Sequence, residues 1–127
     1  MPPQTLLIID DEPAITVLFK RVAQSAGFEV FATSDPQEFM QRCRDSAPNL
    51  ICIDLAMPGV DGIELMRFLA QEQCGSRLLI MSGSDPQLLT AALRLGEALG
   101  LDLAGTIAKP LRVDVLRELL ETLSGGA

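Results

Sequence analysis

Four short apolar runs, at residues 6–9, 50–53, 78–81 and 103–107, limit what this chain can fold into. A strand with one face in water alternates apolar and polar side chains. A strand covered on both faces reads as a continuous aliphatic run, which is the mark of a parallel sheet between helical layers. Helical patterns separate the runs. In the first, Ile15, Leu18, Phe19, Val22, Ala23 and Ala26 follow the i, i+3, i+4, i+7 rule, and Lys20, Arg21, Gln24 and Ser25 take the other side. Gly27 stands where a left-handed helix cap belongs, and residues 28–32 form a second, short strand. Asp35 before Pro36 reads as the N-cap and first residue of a helix to about Asp45. Further helices are expected over about 62–73 with a stop at Gly75, 86–99 with a stop at Gly100, and 112–123. Five strands alternating with five helices predict a doubly wound α/β sheet with right-handed crossovers.

The length of 127 residues suits one domain, read here as residues 1–123, with "SGGA" at 124–127 as a flexible tail or the start of a linker. No apolar run approaches the roughly 20 residues of a membrane span. The first residues lack the pattern of a signal peptide, so a cytoplasmic location is expected. A net charge of −7 argues against direct nucleic-acid binding by this domain. With no histidine, imidazole catalysis is excluded. The three cysteines, Cys43, Cys52 and Cys74, are scattered in the sequence and receive no disulfide, zinc or redox role at this level.

The acids at the strand ends carry the chemistry. Asp10 and Asp11 follow the first strand and Asp54 ends the third, in "LICIDLAMPG". In an open α/β sheet, ligands bind beyond the carboxyl ends of the strands, where strand order reverses. With the order 2-1-3-4-5, the three acids meet in one crevice. Carboxylates gathered there repel one another, and hard oxygen donors without histidine or thiolate suit Mg²⁺. Lys109 in "TIAKP" adds a positive charge and Ser82 in "LLIMSGS" a hydroxyl. Acids, a metal, a cation and a hydroxyl are the parts that handle a phosphoryl group.

In order and spacing, Asp10-Asp11-Glu12-Pro13, "DLAMPGVDGIEL" from Asp54, Ser82-Gly83 and Lys109-Pro110 resemble the receiver domain of bacterial two-component response regulators, over nearly the whole chain. The resemblance implies a flavodoxin-like fold of five parallel strands in the order 2-1-3-4-5 with five helices. It implies that Asp54 accepts a phosphoryl group from a sensor histidine kinase or a histidine phosphotransfer protein. Asp11, Asp54 and the backbone carbonyl of Ala56 would ligate Mg²⁺, with Asp10 acting mainly through a metal-bound water. Ser82 and Lys109 would contact phosphoryl oxygens, and the Lys109-Pro110 bond would be cis. The domain would catalyse only its own phosphorylation and dephosphorylation, and so is not read as an enzyme. An output domain or a second copy would read the surface of helix four, strand five and helix five.

Two residues depart from the family pattern. Thr106 stands where an aromatic switch residue is common, which weakens the link between site and surface. Ala56, two residues after the phosphoacceptor, has no polar side chain to position water, which predicts slow hydrolysis, with Ser84 as a candidate helper. The segment 92–110 resembles receivers joined to cyclic-dinucleotide phosphodiesterase outputs. The bland readings make Asp61 an N-cap and Cys52 a buried small hydrophobe. The broad apolar surface of helix four is read either as deep packing or as an exposed docking strip. The alternative to the phosphoacceptor is a constitutive protein-interaction module with the same fold.

Overall fold

The computed structural model describes residues 3–124. The chain runs β1 (Gln4–Ile9), α1 (Pro13–Ser25), β2 (Phe28–Thr33), α2 (Pro36–Ser46), β3 (Leu50–Asp54), α3 (Gly62–Gln71), β4 (Arg77–Ser82), α4 (Pro86–Ala98), β5 (Asp102–Ala108) and α5 (Val113–Ser124). All strand pairs are parallel, in the order β2-β1-β3-β4-β5. The expected fold is therefore the observed one. Ser124, assigned to the tail by its composition, closes α5, and residues 125–127 lie outside the described residues.

The continuous aliphatic runs are explained by the two cores. Leu6 and Ile8 of β1, Cys52 of β3, and Leu79 and Met81 of β4 pack with Phe19 of α1 and Leu116 and Leu120 of α5. Their sequence neighbours Leu7, Ile9, Ile51, Ile53, Leu78 and Ile80 turn the other way, onto Phe39 of α2, Leu65, Met66 and Leu69 of α3, and Ala92 of α4. Period-two alternation between two dry faces leaves no position for a polar residue until the strand ends.

Helix starts follow the side chains that can replace missing backbone partners. Asp35, Asp61 and Asp85 each accept a hydrogen bond from the N–H two residues on, and Asp85 takes a second from Leu88. Gly27 and Gly100 adopt positive φ after α1 and α4 as expected. The end of α3 differs. The left-handed residue is Gln73, at φ 53°, and not Gly75, so the helix stops two residues early. There the N–H of Cys74 reaches the carbonyl of Leu69 and that of Gln73 the carbonyl of Ala70, a Schellman pair that satisfies the last carbonyls without a glycine.

Neither extreme reading of α4 holds in full. Ala92 and Gly96 are buried, whereas Leu88, Leu89, Leu93 and Leu95 are half-buried and Leu99 is exposed. A Cβ on Gly96 would stand 3.0 Å from a methyl of Leu103, so this glycine lets the helix lie close on β5. β5 is irregular: Leu78 of β4 pairs with Leu103, but Leu79 pairs with Gly105. The extra residue, Ala104, is a β-bulge that breaks simple alternation in this edge strand.

Candidate functional site

Strand order reverses between β1 and β3, and the crevice beyond their carboxyl ends holds the polar residues that the core refuses. Each site segment is fixed by one hydrogen bond past its strand. The N–H of Asp10 donates to the carbonyl of Thr33, that of Leu55 to Met81, and that of Lys109 to Ser82. The Lys109-Pro110 bond is cis. These backbone contacts bring together side chains from the ends of β1, β3, β4 and β5.

Asp54 is fully buried, and Asp10 and Ser82 are buried beside it. Lys109 Nζ lies 2.7 Å from Asp54 Oδ2, 3.3 Å from Asp10 Oδ2 and 3.0 Å from Glu12 Oε1. The other oxygen of Asp54 accepts a hydrogen bond from the N–H of Ala56 at 2.8 Å. Asp10 Oδ1 accepts one from the N–H of Glu12 at 2.9 Å, shaping the turn into α1. Asp11, Glu12 and Ala56 are exposed at the rim. Ser84 is exposed too, and it shares with Ala56, Ser82 and Gly83 the wall of a small cavity of about 130 Å³.

One cation faces more negative charge than it can balance. Burial raises the pKa of Asp10, and the charge of Asp54 adds to the rise, against the Glu12 N–H and Lys109, which oppose it. Burial alone would lower the pKa of Lys109. Its hydrogen bonds to Asp54 and Glu12 and the charges of Asp54 and Asp10 outweigh that and raise it, so the ammonium form is held.

The donor set fits a divalent cation. Ligand oxygens of Asp10, Asp11 and Glu12 can all lie within 4.8 Å of one another. Asp10 Oδ2 is buried with no hydrogen-bond partner and only the Lys109 ammonium beside it, at 3.3 Å, so it keeps acceptor capacity that a hard cation satisfies. Glu12 is the residue whose contact the sequence reading did not foresee. In the sequence it stands only as part of the acidic motif, and in the fold it grips Lys109 from the far end of the chain. Thr106 is exposed on β5, and no aromatic residue replaces it there.

A family model described as the response regulator receiver domain matches residues 6–121. The chain belongs to the response regulator receiver family. Transcriptional regulatory protein FixJ of Bradyrhizobium diazoefficiens is 31% identical over 92% of this chain and 55% of that protein. Sporulation initiation phosphotransferase F of Bacillus subtilis is 24% identical over 95% of this chain and 94% of its own. A response regulator structure from Colwellia psychrerythraea superposes with a TM-score of 0.86 at 31% identity, covering 98% of both chains. The chain spans 34%, 28% and 55% of the length of three curated relatives, the last of them FixJ and the second a protein-glutamate methylesterase of Myxococcus xanthus. Membership supports a phosphoacceptor signalling role for this receiver over a constitutive interaction module. Among the described residues, no helix is long and apolar enough to cross a membrane.

Proposed function

We propose that this receiver takes a phosphoryl group onto Asp54 from a phosphohistidine of a sensor histidine kinase or a histidine phosphotransfer protein. The observation that carries the proposal is the buried Asp54 carboxylate, held between Lys109 Nζ at 2.7 Å and the Ala56 N–H at 2.8 Å. An oxygen of Asp54 attacks phosphorus, the P–N bond of the donor breaks, and the imidazole leaves with a proton. The Ala56 N–H fixes the carboxylate plane, so that one oxygen remains directed at the crevice. Lys109 begins on that oxygen and turns to the transferred group, where its charge and the Ser82 hydroxyl stabilise the phosphoryl oxygens.

Asp10, Asp11, Asp54 and the backbone carbonyl of Ala56 would hold Mg²⁺. When bound, the cation offsets the charge between carboxylate and phosphoryl group. The half-buried leucines of α4, with β5 and α5, form the surface on which an output domain or a second copy docks. The domain works in the cytoplasm, acts on no external metabolite and does not bind nucleic acid directly, in keeping with its net charge of −7.

The test is incubation with acetyl phosphate followed by intact-mass measurement. With Mg²⁺ the receiver gains one phosphoryl mass, and with a chelator in excess the gain falls to background. Equal uptake under both conditions would count against the cation site.

A further inference from the structure

The sequence separates Cys43 from Cys74, but the fold brings them to one seam, far from the phosphoacceptor. Cys43 is on the buried face of α2 and Cys74 follows α3, and both belong to the same apolar cluster. Together they line a cleft of about 770 Å³ at the amino ends of the strands. Two local devices set this arrangement. The Schellman turn that ends α3 holds the backbone of Cys74 against the last turn of the helix, through its N–H bond to the Leu69 carbonyl. Next to it, Arg44 Nε and Nη2 both donate to Glu72 Oε1 at 3.2 Å, tying the last turn of α2 to the end of α3.

We propose that Cys43 and Cys74 form an oxidisable thiol pair that closes to an intramolecular disulfide when a low-molecular-weight disulfide such as oxidised glutathione enters the cleft. Cys74 is half-buried and Cys43 is buried, so the oxidant meets Cys74 first. The Cys74 thiolate attacks one sulfur of oxidised glutathione, the S–S bond breaks, and one glutathione leaves as its thiolate. Cys43 then loses its proton to solvent and attacks the Cys74 sulfur, displacing the second glutathione. The protein thus gives up two electrons and two protons, and the oxidant becomes two molecules of glutathione. Burial, then the neighbouring Cys74 and the charge of Glu72, push the Cys43 thiol up to about 12 against the opposing charge of Arg44. Closure is therefore the slow step and accelerates as pH rises.

Fully reduced protein is incubated with oxidised glutathione at pH 8, quenched in acid, alkylated and mapped without reductant. The expected product has lost the mass of two hydrogens, carries a peptide linked through Cys43 and Cys74, and melts roughly 5 to 10 °C higher than the reduced form. Cys74→Ser, at the half-buried position, abolishes all three changes. Cys43→Ala stops at one glutathionyl mass on Cys74. A wild-type protein that stays at the glutathione adduct, links two chains, or takes up no oxidant would overturn the proposal. None of these outcomes bears on Asp54.

Discussion

Asp54→Asn is expected to reduce phosphoryl uptake from acetyl phosphate to background while the protein remains folded. An amide oxygen cannot form the acyl phosphate, so the loss is chemical. Asparagine keeps the shape of the side chain and an oxygen for the Ala56 N–H, whose bond to Asp54 is 2.8 Å. Lys109 keeps Asp10 and Glu12 as partners. Removing one of the crowded negative charges also relieves Asp10, whose pKa the charge of Asp54 helps to raise. These effects oppose one another, and the unfolding free energy should change by no more than about 1 kcal/mol. Intact mass and urea denaturation, run on the same preparation, separate the two consequences. Uptake at the wild-type rate by a folded variant would assign the chemistry to another acid.

Lys109→Met is expected to be the most destabilising change at the site. Methionine retains much of the apolar stem but leaves the carboxylates of Asp10 and Asp54, both 0% exposed, without their cation. Breaking a buried pair in this way costs about 3–5 kcal/mol. The sign of its pH dependence follows from Asp10. Its folded-state pKa already lies above the ordinary 3.8, and removing Lys109 takes away a charge that lowers it. The folded variant then holds a proton that the unfolded chain releases, so its stability grows as pH falls through the raised pKa and is lowest above it. Urea titrations run from neutral pH down toward the ordinary carboxylate range should show the deficit shrinking toward acid. Added Mg²⁺ should also recover more stability in the variant than in the wild type. A deficit independent of both pH and Mg²⁺ would mean that packing of the lysine stem, and not its charge, was lost.

Much of this was legible in the sequence because it depends on local or periodic signals. The doubly covered strands are written in Leu6, Leu7, Ile8 and Ile9, which divide evenly between two cores. Asp35 and Asp61 cap helices as their neighbours predict. The acids had to sit at strand ends, since the core has no place for them. What escaped depends on contacts between distant segments. The bulge at Ala104 exists only through pairing of β5 with β4, and the alternation rule has no term for it. Gln73 takes the left-handed position ahead of Gly75, the expected stop, because the Schellman bonds to Leu69 and Ala70 are made there. Glu12 and Lys109 are 97 residues apart, and only the closed sheet makes them partners. The same holds for Cys43 and Cys74, which the sequence scatters and the α2–α3 seam unites.

A single buried carboxylate is expected to receive the phosphoryl group. The most direct test is to phosphorylate the wild-type receiver with acetyl phosphate and Mg²⁺, reduce the acyl phosphate with borohydride, and map the peptide that carries the reduced residue. One labelled position, Asp54, is expected. Label on Asp10, Asp11 or Glu12, or a phosphoryl group that borohydride leaves intact, would contradict it.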